Sequence, residues 1–223
     1  MYRRDYLLRM IEQFTVTMAQ VLLQRQNRRL AEAMELIAQA MKQLLGLNSK
    51  LVRALSVKDI IGLLSANGHF DAGKGLLLSD MLKAEGELLG DAGEPLEAES
   101  CFLKSLELLL EIRQMEDAEE LHRDAEERVS ALLPQVKQTR MNLRLMELLL
   151  GHYDATGQLA KAEDMLFFML DDDPGNPKLV ERGIDMYERW SELEPEQWAE
   201  GNLSGEEIQE SRELLIKMKQ NGS

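Results

Sequence analysis

The stretch Arg144-Leu-Met-Glu-Leu-Leu-Leu-Gly-His-Tyr153-Asp-Ala-Thr-Gly157-Gln-Leu-Ala-Lys-Ala162-Glu-Asp-Met-Leu166-Phe-Phe-Met169-Leu-Asp-Asp-Asp-Pro174-Gly-Asn176 decides the fold. It reads as a helical run ending near Thr156-Gly157, a second run over 158–170, and a break at Asp171-Asp-Asp-Pro-Gly-Asn-Pro177. Gly157 relieves the turn, Ala162 lets two backbones approach, and Pro174 stops the second helix. The expectation is an antiparallel helical hairpin.

Working outward, the same period recurs. Tyr6, Leu7, Met10, Ile11, Phe14, Met18, Val21 and Leu22 follow three- and four-residue steps, which predicts one apolar stripe on a helix of about twenty residues. Asn27-Arg-Arg reads as a turn; Leu30, Ala33, Met34, Ile37, Ala40, Met41 and Leu44 repeat the period up to Gly46. Ser56-Val-Lys-Asp59 starts a short helix that Asn67-Gly68 breaks. Runs over 70–90 and 95–112 are split by Gly90-Asp-Ala-Gly-Glu-Pro95. Pro134 opens the run into the hairpin, a helix follows over 177–192, and Ser204-Gly-Glu-Glu207 is a capping box for the last helix. No stretch alternates with period two. The prediction is an all-α chain of about eight or nine helices.

Those helices read as repeated pairs. The hairpin resembles a tetratricopeptide repeat in Tyr153 late in the first helix, Gly157 at the turn, Ala162 at the crossing and Pro174 after the second helix; Gly151 and Met169 depart from that pattern. Gly86, Leu89, Gly93, Ala98, Phe102 and Ser105 keep its offsets, as do Leu30, Ala33, Ile37 and Ala40 in the second helix of an earlier copy. The resemblance implies an irregular helical-hairpin array, an α-α superhelix, forming a single domain over 1–223: a first pair at 1–50, a second pair with extra helices at 56–132, a third at 134–176, and capping helices at 177–223. The opening Tyr2-x-x-Asp5-Tyr6-Leu-Leu-x-Met10-Ile11-Glu12-Gln13-Phe14, with Leu44-Leu-Gly46-Leu-Asn48-Ser49, is similar to a bacterial family of uncharacterised helical proteins. That likeness implies a bacterial cytoplasmic protein and carries no activity.

Charge narrows the partners. The 223 residues carry a net charge of −14, distributed as +4 over 1–80 and −18 over 81–223. A surface this acidic repels phosphate backbones, so nucleic-acid binding is not expected. Arg3, Arg4, Arg9, Arg25, Arg28 and Arg29 are expected to face acidic helices of the chain or of a second copy. No run is apolar enough to span a membrane, and Tyr2 to Arg9 is too charged for a signal peptide.

Chemistry is sparse. Cys101 stands alone among acidic neighbours, which excludes an intrachain disulfide and opposes a reactive thiolate. Glu119-Glu-Leu-His122 has one Glu-x-x-His where a di-iron bundle needs two. Asp171 to Asp173 are consecutive rather than alternate, unlike a calcium loop. His69 and His152 have no ligand-spaced partner. Val57–Leu82 has the outline of a helix-turn-helix, but the second helix offers Asp71, Ala72, Gly73 and Lys74 and then Leu76-Leu-Leu78, a packing surface. No catalytic residue, cofactor or metal is expected, and the chain reads as non-enzymatic.

Three features suggest surfaces. The methionines mostly share the apolar stripes and read as core filler or an adaptable groove. Trp190 and Trp198 flank Leu193-Glu-Pro195 and read as pins for the last helix. Met115, Ala118, Leu121, Ala125, Val129 and Leu132 form a narrow seam over 113–132, which reads as a mostly exposed helix continuous with the one before it. The seam meets one neighbour, within the chain or across a homodimer. The expected function is a helical-repeat module that binds a protein or peptide or self-associates. The alternatives are a structural homodimer or assembly factor, then a transcription regulator or an enzyme with an unrecognised site.

Overall fold

The computed structural model describes residues 2–66, 69–137 and 141–221, with backbone alone for 2–5, 7, 116, 117 and 221. Among them are twelve α-helices and one two-residue hairpin, so the chain is all-α. The expected count of eight or nine is too low because two short helices, at 49–54 and 195–200, lack the length for a periodic signal, and because 122–132 is a helix of its own rather than a continuation of the one before it. The residues cluster as two units, Met1–Arg140 and Met141–Ser223.

The first unit holds α1 (Tyr2–Gln26), α2 (Leu30–Ala40), a π turn, α3 (Ser49–Ala54), α4 (Val57–Leu64), α5 (Ala72–Asp91), α6 (Pro95–Arg113) and α7 (His122–Leu132). Side chains start several of these helices. Asn48, Ser56 and Asp71 accept from Leu51 N, Asp59 N and Lys74 N, satisfying donors that the first helical turn leaves free. Between α4 and α5, β1 (Ser65–Ala66) pairs antiparallel with β2 (His69–Phe70); the expected Asn67-Gly68 turn lies outside the described residues. α5 is the centre of the unit and packs along α6, with α1, α2 and α4 also against it. Gly73, Gly75 and Leu76 to Leu78 are buried, so this part of α5 is a packing surface. At the α5–α6 crossing, a Cβ on Gly86 would stand 2.6 Å from the Phe102 ring, so only glycine fits. Beside it, buried Ser105 donates to Ser79 O at 2.8 Å.

The second unit holds α8 (Leu143–Ala155), α9 (Leu159–Asp172), α10 (Pro177–Ser191), α11 (Pro195–Glu200) and α12 (Gly205–Asn221). α8 packs on α9, and α10 on α12. α8 opens at Leu143 under an Asn142 cap, not at Pro134, which sits in a 3-10 turn over Leu133–Gln135. Asn142 outcompetes proline as a start because its side chain satisfies Leu145 N at 2.8 Å. The capping box at Ser204 and Glu207 forms as expected.

Three hairpin turns share one geometry. α1–α2, α5–α6 and α8–α9 are each joined by three residues, and the middle one is left-handed: Arg28 (φ 59°), Gly93 (81°) and Gly157 (69°). In each, that residue's N–H reaches back three residues and the next N–H reaches back five, the Schellman arrangement. The last turn residue then accepts from the crossing alanine, Ala33, Ala98 or Ala162, at 3.0 Å. All three alanines are buried. Consecutive helices that reverse in three residues and pack along their length run antiparallel.

Two further expectations fail. Residues 113–132 are not one rod running on from α6. The chain leaves the helix at Gln114, turns through a 3-10 segment over Glu116–Leu121, and restarts as α7. His122 holds this break, with Nε2 2.9 Å from Met115 O. Nor does α1 carry one stripe. Met10, Phe14 and Val21 are buried, whereas Tyr6, Ile11 and Leu22 point outward. No helix among the described residues is long and apolar enough to cross a membrane.

Candidate functional site

The richest set of polar side chains in the first unit surrounds α3. This six-residue helix is tied at both ends. Its first residue, buried Ser49, donates Oγ to Glu85 Oε1 on α5. At its other end, Lys104 Nζ on α6 donates to the carbonyls of Val52, Arg53 and Leu55 at 3.0, 2.6 and 2.7 Å. A cation there satisfies carbonyls that the helix end leaves free. Cavities of about 460 and 380 Å³ flank α3, and Lys50 and Arg53 line both. Glu85 borders the first and Cys101 the second.

Burial governs the electrostatics of the groups around α3. Burial raises the Glu85 carboxyl above its ordinary range, against the Ser49 hydrogen bond and the Arg53 charge. Burial, followed by the Glu85 charge, pushes the Cys101 thiol up to about 12, so at neutral pH it is protonated and a poor nucleophile. Glu85 was not among the sequence candidates. Its signal is a charge three residues after Leu82 and four before Leu89, within an apolar face. Among the described residues no three His, Cys, Asp or Glu side chains are grouped to hold a metal ion.

The seam residues are placed inside the first unit. Ala118, Ala125, Val129 and Leu132 are buried, with α7 packed on α6, while Met115 and Leu121 are half-buried.

The basic residues divide. Arg25 at the end of α1 donates Nε to Asp91 Oδ2 at 2.6 Å and Nη1 to Glu87 Oε2 at 2.5 Å, both on α5. Arg28 and Arg29 are exposed, Arg29 lying 3.5 Å from Glu32. The side chains of Arg3 and Arg4 lie outside the described residues. The methionines of the stripes are mainly core: Met10, Met41, Met146, Met165, Met169 and Met186 are buried.

In the second unit the tryptophans brace the last helices. Buried Trp190 donates Nε1 to Asp154 Oδ1 at 2.8 Å, and Trp198 donates Nε1 to Trp190 O at 2.7 Å. A Cβ on Gly205, at the start of α12, would stand 2.8 Å from the Trp198 ring. The aspartates before Pro174 form part of a turn: Asp173 accepts from Asn176 Nδ2, and Asn176 caps α10.

α1 also carries exposed apolar side chains. Among the described residues eleven large hydrophobic side chains are exposed, and six lie on α1: Tyr6, Leu8, Ile11, Val16, Leu22 and Leu23, each between 42 % and 62 % exposed. Leu8, Ile11, Val16, Leu22 and Leu23 lie on the side of α1 away from Met10, Phe14 and Val21, whereas Tyr6 lies nearer the buried side, with Lys74 Nζ 6.0 Å from its ring centroid.

A family model described as a family of unknown function (DUF6483) matches residues 1–220, and the chain belongs to that family. The match extends far beyond the first sixty residues that suggested an uncharacterised family, and no tetratricopeptide model is matched. No curated protein and no solved structure matches.

Proposed function

We propose that this member of an uncharacterised family is a non-enzymatic helical-hairpin module that associates with protein through the outward face of α1. The observation that carries the reading is the concentration of exposed large apolar side chains on that helix, turned away from its buried Met10, Phe14 and Val21. A soluble chain rarely leaves such a face to water. The raised Cys101 thiol supports the non-enzymatic part, and the net charge of −14 favours protein over nucleic acid as the partner class.

The hairpins are further read as tetratricopeptide-like units in an irregular array. The three matching turns, the buried alanines that follow them and the Gly86–Phe102 approach support this. Such arrays commonly serve as scaffolds for protein binding.

The test is a photo-crosslinking side chain at Val16, 62 % exposed, with Leu143, 60 % exposed, as the control position. In intact cells the Val16 position is expected to give a discrete crosslinked protein product that Leu143 does not. Ile11→Glu in the same chain should abolish it. No product from Val16, or equal products from both positions, would sink the reading.

A further inference from the structure

We infer that the occupant of the α1 face is a second copy of this chain, seated antiparallel about a two-fold axis at Thr15. The inference rests on the proposed association through α1 and names its partner.

The outward stripe is Leu8, Ile11, Thr15, Ala19 and Leu22, all exposed. At about 100° per residue, it is centred about 120° around the helix from the buried Met10, Phe14 and Val21. Its steps are three, four, four and three residues, and so read the same in either direction. A two-fold partner places residue i against residue 30 − i, so Leu8 meets Leu22, Ile11 meets Ala19, and Thr15 meets itself. Each large side chain at 8, 11 or 22 then lies on a stripe position that is also occupied in the other copy. The Ile11–Ala19 pairing sets large against small, which allows close helix approach. An isologous interface requires this self-complementarity, and a foreign partner imposes no such symmetry.

Polar groups do not oppose the contact. Thr15 Oγ1 donates to Ile11 O at 2.8 Å, so the hydroxyl on the axis is already satisfied by its own helix. Between positions 8 and 23 the charged residues of α1 are Arg9 and Glu12, both exposed and both flanking rather than within the stripe. Val16 and Leu23 widen the stripe along one side. Antiparallel helices also oppose their macrodipoles favourably.

The area fits a modest dimer. At roughly 90 Å² for each half-exposed large side chain, the five on the stripe and its flank (Leu8, Ile11, Val16, Leu22 and Leu23) offer on the order of 450 Å² per copy, or about 900 Å² in all, the size of a weak, transient interface. The expected dimer is therefore concentration-dependent.

Light scattering across a dilution series, on the full chain, should show a mass rising from 25.4 kDa toward twice that value. Ile11→Glu with Leu22→Glu should hold the chain at the monomer mass with the parent's helical signal and melting temperature. Register is read by cysteine placement in a Cys101→Ser background. Thr15→Cys should self-link on mild oxidation. Leu8→Cys alone should not, because two copies of position 8 stand about 21 Å apart along antiparallel helices. Mixed Leu8→Cys and Leu22→Cys chains should link to each other.

A parent that stays monomeric up to about 0.5 mM overturns the inference, as this bounds Kd near the millimolar range. So does a dimer that survives the double glutamate variant, or self-linking at Leu8→Cys as strong as at Thr15→Cys. A monomeric parent that still gives the Val16-specific crosslink to a different protein removes the second copy and leaves the proposed function standing. A monomer with no crosslink removes both.

Discussion

Arg28, the middle residue of the first hairpin turn, holds φ at 59°, where the other two hairpins use Gly93 and Gly157. A side chain in that left-handed region costs roughly 1 kcal/mol that glycine does not incur. Arg28→Gly is therefore expected to raise the melting temperature by about 2–4 °C, the usual effect of 1 kcal/mol in a chain of this size. A lowered melting temperature would mean that the arginine contributes something the turn geometry does not show. Glu85 gives a second residue-scale test. Burial raises its carboxyl, so the folded chain keeps the proton to a higher pH than the unfolded chain, whose value is near 4.5. Its contribution to stability is fullest below that value and is lost as pH rises through the folded value. Glu85→Gln cannot ionise and keeps an oxygen for Ser49. It should melt above the parent at about pH 8 and converge toward it at about pH 4, as the linkage requires. A variant melting below the parent at pH 8 would refute the burial argument.

At the scale of elements, α1 and α7 show how periodicity is misread. Both were legible as helices. Their faces were not, because a stripe records which positions are apolar without recording which neighbour covers them. α7 carries the narrower seam, yet Ala125, Val129 and Leu132 are buried because α6 lies against them. α1 carries more apolar residues than one neighbouring surface covers, so half of them face outward. Val129→Asp should therefore lower the melting temperature by several degrees, since an unpaired buried charge is strongly destabilising. Its mass in light scattering should match the parent's at equal concentration. A change in mass without loss of stability would restore the seam as an intermolecular edge. The Arg128–Asp80 pair, with two bonds of 2.9 Å, fastens α7 to α5 from the polar side.

Across the whole molecule, the uneven charge has a local counterpart in Arg25, which joins basic α1 to the acidic end of α5. The sequence alone determined the all-α class, the antiparallel hairpin at 144–176, the turns at Asn27-Arg-Arg29, Gly93 and Gly157, and the capping box at Ser204. These are local: a glycine or a cap acts within one turn of the chain, and its physics is the same wherever the helix is placed. It also marked Ala33, Ala98 and Ala162, since close helix crossings need small side chains. Only the tertiary structure decided the break at Gln114, the late start of α8, the depth of Glu85 and the outward face of α1. Each of these depends on distant residues: His122 reaching Met115, Asn142 outcompeting Pro134, Ser49 meeting a carboxylate 36 residues away. Spacing along a chain states what can be buried together, and packing then selects which of those residues remain exposed to a partner.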